Sequence, residues 1–139
     1  MEEIFVDIVG FKSNYQISNF GNVKSLKFNK EKLLKTNLNT YGYPKISLKK
    51  DNKNITISVH ILVAKAFIPN IYNKKSVNHK NKNKQDNNVE NLEWVTPFEN
   101  TRHALGFDIT IKNNVILKPD DQRIYNVLIP IIKNLVLLN

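Results

Sequence analysis

Hydrophobic and polar residues alternate with a period of two over most of the first sixty positions. Ile4, Val6 and Ile8 alternate until Gly10 breaks the run. Tyr15-Gln16-Ile17-Ser18 is a short strand signal, Asn19-Phe20-Gly21-Asn22 a turn, and Val23-Lys24-Ser25-Leu26 resumes the alternation. This reads as a hairpin. A second hairpin is expected over residues 43–60. There Tyr43, Lys45, Ser47 and Lys49 alternate with Ile46 and Leu48, Asp51-Asn52-Lys53-Asn54 supplies the turn, and Ile55, Ile57 and Val59 follow. From Val59 the period lengthens. Ile61, Leu62, Ala64, Ala66 and Phe67 fit a short helix, with Ser58 as candidate cap and Pro69 ending it.

The next stretch predicts strand, long loop, strand, helix. Ser76–His79 and Leu92–Val95 are the strands, and polar residues 80–88 form the loop. Thr96 is a natural N-cap, Pro97 suits the first helical position, and Glu99 completes a capping-box pattern. The helix is expected to run to Leu105, with Gly106 as its stop. Beyond it, Ile109–Leu117 could pair as strands, and residues 120–138 read as an apolar helix interrupted by Pro130. That helix is apolar on all sides, so it predicts burial or packing on a second subunit.

Composition narrows what this pattern can do. The chain has 139 residues, no Cys and a formal charge of +9. Without Cys there is no disulfide framework, Cys-ligated zinc or thiol nucleophile. No apolar run reaches membrane-spanning length, and the acidic Met1-Glu2-Glu3 start is unlike a signal peptide. A soluble, intracellular protein with an anionic partner and no membrane association is therefore expected. With 22 Asn, 19 Lys and 16 Ile but only two Arg, the composition points to an A/T-rich genome. The charge is uneven. Residues 1–106 hold 17 basic and 9 acidic residues, whereas residues 107–139 hold 4 and 3. Lys74, Lys75, Lys80, Lys82 and Lys84 cluster around His79 with no acid among them.

That cluster gives the strand–loop–strand–helix unit its chemistry. His79 closes the first strand, Asn91 precedes the second, and Asn100 lies in the first turns of the helix with His103 one turn later. A neutral His can take a proton from water. A hard cation such as Mg²⁺ prefers oxygen ligands, which Asn carbonyls can supply. The lysines would hold a phosphate backbone. Lys24 and Lys27, after the first hairpin, are further backbone candidates. His60 reads as a packing or capping residue, with an auxiliary role in the site as the alternative. His103 could stack, contact phosphate or assist at the metal. Trp94 reads as core.

Several runs are also familiar together. They are Val77-Asn78-His79-Lys80, Asn83-Lys84, Asn87-Asn88, Glu90-Asn91-Leu92-Glu93-Trp94-Val95-Thr96, and Glu99-Asn100 with His103-Ala104. Along with Val59–Asn70 ahead of them, they resemble the HNH endonuclease family, in the variety of phage and intron-encoded homing endonucleases. Gly10-Phe11, Tyr15–Gly21 and Val23–Leu26 resemble the small DNA-binding module often fused ahead of such nucleases. The likeness covers about residues 4–106.

The resemblance implies an α+β fold, in which short β-hairpins precede a ββα-metal (His-Me finger) nuclease core. It implies His79 as general base, Asn91 as the residue that braces the loop and orients His79, and Asn78 and Asn100 as ligands of one divalent cation, Mg²⁺ or Mn²⁺. The partner would be double-stranded DNA, cut in one strand or both, and the protein would be phage- or virus-encoded and act in the host cell. Expected divisions are a DNA-binding module at residues 1–42, the nuclease domain at 43–106 and an extension at 107–139 for packing or homodimerisation. Neither Asn78 nor Asn100 is a carboxylate. That motivates the alternative of a catalytically weak or inactive DNA-binding protein on the same scaffold.

Overall fold

The computed structural model describes residues 1–105. They comprise a compact unit, Met1–Thr101, and the first residues of a second that begins at Arg102. The expected pair 109–117, the apolar helix 120–138 and homodimerisation through it lie outside the described residues.

The first hairpin forms where alternation places it and grows into a four-stranded antiparallel sheet. Its strands are β1 (Phe5–Asp7), β2 (Tyr15–Ser18), β3 (Val23–Ser25) and β4 (Lys32–Leu33), in that spatial order. Val6 pairs with Ile17, and Ile17 with Val23, so one face of the sheet is apolar and buried. The β2–β3 turn is closed by the Ser18 hydroxyl, which accepts from the Phe20 and Asn22 amides. Phe11 folds back from the β1–β2 loop and meets Tyr15 edge-on at 5.7 Å.

β5 (Asn37–Leu38), β6 (Pro44–Lys50) and β7 (Lys53–Ser58) form a three-stranded sheet. Sequence pattern alone does not reveal β4 or β5, since two-residue strands carry no measurable period. The β6–β7 turn is tighter than expected. It consists of Asp51 and Asn52, both at positive φ, while Lys53 and Asn54 already pair in the ladder. Asn and Asp tolerate that conformation, and it matches the twist of a two-residue hairpin. Pro44, Ile46 and Leu48 point into the core. The Tyr15 hydroxyl accepts from the Lys49 amide at 3.1 Å, joining the two sheets.

α1 (Val59–Phe67) follows directly, burying Val59, His60, Leu62, Val63 and Ala64. Ser58 occupies its N-cap position, but its side chain makes no capping bond. The helix ends at Ile68, extended before Pro69 as proline requires. β8 (Ser76–His79) and β9 (Leu92–Val95) then pair antiparallel, with Asn78 opposite Glu93 and His79 opposite Leu92. α2 (Pro97–Ala104) opens on the expected capping box. Glu99 accepts from the Thr96 amide at 2.6 Å, and the Thr96 hydroxyl accepts from the Glu99 amide at 3.2 Å.

One apolar cluster runs from the first sheet through the second and α1 to the β8–β9 hairpin, from Ile8, Phe11 and Ile17 through Leu48 and Val63 to Val77 and Leu92. The fold is α+β, with short antiparallel hairpins leading into a ββα unit. Among the described residues no helix is long and apolar enough to cross a membrane.

Candidate active site

Strand periodicity divides the end of β8 into two chemistries. Val77 and His79 face α1, as do Leu92 and Trp94 on β9, whose indole N–H donates to the Ile68 carbonyl at the end of α1. Asn78 and Glu93 face the other way.

His79 is buried, at 4% exposure. Its Nε2 lies 2.9 Å from Asn87 Oδ1. An amide oxygen only accepts, so Nε2 donates in this bond, and in the neutral ring Nδ1 keeps the lone pair. Among the described residues no hydrogen bond engages Nδ1, yet it is not sealed from solvent. The ring is walled by two others, His60 at 5.1 Å and Tyr43 at 5.8 Å, which are 5.1 Å from each other. Burial, and secondarily the nearby His79, pushes the His60 imidazole down to about 4, so it is neutral near pH 7. Its Nδ1 is sealed from solvent and has no hydrogen-bond partner among the described residues. His60 therefore packs rather than caps, and the wall behind His79 carries no charge.

Among the described residues no hydrogen bond joins Asn91 to the His79 ring. Its Oδ1 accepts from the Asn81 amide at 3.0 Å, and its Nδ2 donates to Asn81 Oδ1 and to the Asp86 carbonyl. Its own carbonyl accepts from the Lys80 amide. These bonds clamp both ends of the loop between β8 and β9. The residue that meets the imidazole is Asn87, which lies in that loop. Sequence reasoning assigned Asn87 no role, although it stands within the familiar run Asn87-Asn88. In a chain with 22 Asn, one more asparagine carries little signal.

The first hairpin supports the same pair. The Asn19 carbonyl accepts from the Val89 amide at 2.8 Å. A Cβ on Gly21 would come within 2.8 Å of the Asn87 Cβ, and Gly21 sits at φ +88°. Glycine is thus required twice over at this turn, for its backbone angle and for the close approach.

On the opposite face Asn78 is buried, and its Nδ2 donates to Glu93 Oε1 at 2.9 Å. No hydrogen bond among the described residues engages Asn78 Oδ1. Asn100 lies exposed on α2, its amide bonded to the Thr96 carbonyl. Glu99, next to it, takes both carboxylate bonds from Lys74 Nζ at 3.0 Å, which holds the start of α2 against the segment entering β8. The Glu99 carboxyl is pulled below its ordinary value, first by the Thr96 amide and then by Lys74. Among the described residues no three His, Cys, Asp or Glu side chains cluster as metal ligands. The Asn78 amide oxygen and the Glu93 carboxylate beside it are oxygen donors of the kind a hard, water-retaining cation takes. No hydrogen bond joins Asn78 to Asn100, and His103 follows three residues later in α2, half-buried.

The candidate phosphate-binding lysines differ in their surroundings. Lys24 pairs with Glu31 and sits over the Phe5 ring, and Lys74 is held by Glu99. Lys27 lies over Tyr15. Lys84 lies over Tyr43 and donates to the Tyr41 carbonyl, and Lys80 donates to the Glu90 carbonyl. Lys75 and Lys82 are exposed.

Comparisons with known proteins bear on the domains and the fold. Residues 3–49 match the NUMOD4 motif, and residues 58–102 match the HNH endonuclease model. An uncharacterised HNH endonuclease of Acanthamoeba polyphaga mimivirus, L247, is 45% identical over 114 residues, which is 80% of this chain and 26% of that protein. The DNA endonuclease I-HmuI of Bacillus phage SP01 is 39% identical over 99 residues, 71% of this chain and 56% of that one. A solved structure, described as DNA binding and cleavage by the HNH homing endonuclease I-HmuI, superposes with a TM-score of 0.66 at 37% identity. It covers 79% of this chain and 63% of its own. The chain thus spans between about a quarter and just over half the length of these curated relatives. The two domain models, relatives of the same description and a shared fold lead to one assignment: an HNH endonuclease domain over residues 58–102 behind a NUMOD4 motif over residues 3–49.

Proposed function

We propose that this chain is a DNA endonuclease that hydrolyses phosphodiester bonds with His79 as general base. The observation that carries the reading is the His79–Asn87 bond, which puts the ring proton on Nε2 and leaves Nδ1 to accept one. In this mechanism Nδ1 takes a proton from water as the water oxygen attacks phosphorus and the bond to the leaving oxygen breaks. The clamp made by Asn91 keeps the loop, and with it Asn87, in place. Asn78 and Asn100 offer their carbonyl oxygens to one divalent cation, Mg²⁺ or Mn²⁺. When bound, such an ion would neutralise charge on the scissile phosphate and the leaving oxygen.

Double-stranded DNA is the proposed partner, in keeping with what the I-HmuI structure is described as binding and cleaving. Lys75, Lys80, Lys82 and Lys84 flank His79 and would lie along the backbone, with Lys24 and Lys27 extending the contact through the first module. We assign residues 1–42 to DNA positioning and 43–106 to hydrolysis. The mimivirus and phage relatives favour a virus- or phage-borne element acting in a host cell.

Supercoiled plasmid incubated with the protein and Mg²⁺ or Mn²⁺ tests the reading. Wild type should nick it, and His79→Ala should lose about a hundredfold or more of the rate. Equal nicking by both would overturn His79 as the base. Salt-sensitive DNA binding with no cleavage under either metal would favour the second reading, a binding protein on a silent scaffold. The amide at position 78 motivates that reading.

A further inference from the structure

A cation site built from Asn78 and Asn100 alone would contain no negative charge. We infer that Glu93 is the carboxylate of this site: it fixes the Asn78 amide and supplies the charge that draws the cation in. The inference rests on the proposed metal-dependent reading and names a residue that reading leaves out.

Three observations support it. Asn78 and Glu93 are direct partners across the β8–β9 ladder, so their side chains share one face. The Asn78 Nδ2 donates to Glu93 Oε1 at 2.9 Å. An amide oxygen and nitrogen share one carbon, so an acceptor on Nδ2 dictates which way Oδ1 points. Without Glu93 the amide could turn over and present its NH₂, which repels a cation, where Oδ1 now stands. The third observation is access. An open cleft of about 420 Å³ borders Glu93, with Lys74, Lys80, Leu92 and Trp94 among its other lining residues. Glu93 is half-buried beside it, reachable by an ion and by a phosphate that the two lysines would favour.

A cross-strand Asn–Glu bond could equally be a modest brace for a short hairpin. The two roles separate under Glu93→Gln, since Gln keeps a carbonyl acceptor for Asn78 Nδ2 and loses only the charge. A brace would survive that change and a charged site would not.

The test is Mn²⁺ titration of the full chain without DNA, followed by the electron paramagnetic resonance of free Mn²⁺. Wild type should bind, and Glu93→Gln should weaken binding about tenfold, the scale of one charge lost in a partly exposed site. Asn78→Asp in the wild-type background should tighten it. Circular dichroism melts should show Glu93→Gln folding as wild type does. Equal Mn²⁺ binding by wild type and Glu93→Gln, including no binding by either, would overturn the inference. The two proposals fail separately. Glu93-dependent Mn²⁺ binding by a protein that never nicks plasmid would sink only the nuclease reading. Nicking by a protein whose Mn²⁺ affinity ignores Glu93 would sink only this one.

Discussion

The two faces of the β8–β9 hairpin are a residue apart in sequence and opposite in character. One presents His79 to a dry wall of rings, Tyr43 and a neutral His60, with Asn87 as its hydrogen-bond partner. The other presents Asn78 and Glu93, both polar and joined to each other. A proton acceptor should be neutral and held in one tautomer. A cation site needs oxygen donors and negative charge. Strand periodicity lets consecutive residues meet both demands, because Asn78 and His79 point to opposite sides without any special loop. The comparison also predicts that damage to one face should leave the other working.

Asn87→Ala would break the dry face most severely, apart from removing His79 itself. The Nε2 proton would lose its partner in a buried setting, and the imidazole would be free to turn or change tautomer. Partners that fix a histidine's tautomer commonly matter by about tenfold to a hundredfold in activity. A drop of that size in nicking rate is expected, with Mn²⁺ affinity unchanged. Asn87→Asp keeps an acceptor and should recover most of the rate. Nicking by Asn87→Ala at the wild-type rate would show that the bond does not set the base.

His60 gives the same face a signature in stability. Its imidazole titrates near 6.5 when unfolded and about 4 when folded. Between those values the unfolded chain binds more protons, so stability is fully present above about pH 6.5 and falls as pH drops toward 4. A fall of about 2 to 3 kcal/mol over that window is expected from this group. His60→Phe preserves an aromatic ring and should flatten the slope between pH 6.5 and 4.5. Glu99 and Glu3, both held below their ordinary values, add their own losses only at lower pH. Urea unfolding of both proteins across pH 4 to 7 measures the difference. Identical slopes would mean that His60 is not buried as a neutral ring.

What was legible in the sequence follows the length over which each signal repeats. β8, β9 and the capping box of α2 were readable residue by residue, because alternation and the Thr96–Pro97–Glu99 spacing are local. The contact between Asn87 and His79 is not, since seven residues of loop lie between them and the chain must fold before they meet. Glu93 carries no local signal of its own for a related reason. Its meaning comes from cross-strand register with Asn78, and register depends on a pairing that no single strand encodes. The resemblance implies Asn91 as a loop brace, but no local pattern in the sequence names its partners, Asn81 and the Asp86 carbonyl. Gly21 was read as a turn residue, and only packing shows that its missing side chain makes room for Asn87.

The smallest expected effect concerns how the polar face is held. Glu99 answers to two partners, the Thr96 amide within the capping box and Lys74 ahead of β8. Thr96→Ala removes the hydroxyl that accepts from the Glu99 amide but leaves the Lys74 pair. Such caps contribute about 1 kcal/mol. The Lys74–Glu99 pair is partly exposed and contributes about 1 kcal/mol at most, less at high salt. Thr96→Ala should therefore lower thermal stability modestly and loosen the first turn of α2, where Asn100 sits. If Asn100 belongs to the cation site, Mn²⁺ affinity should fall by a few-fold, while the acid slope set by His60 stays as in wild type. Salt should deepen the defect, because one of the two tethers Glu99 keeps, beside the backbone amide bond, is an ion pair. A Thr96→Ala protein with lowered stability but unaltered Mn²⁺ binding at both low and high salt would remove α2, and Asn100 with it, from the site and leave Asn78 and Glu93 as its protein donors.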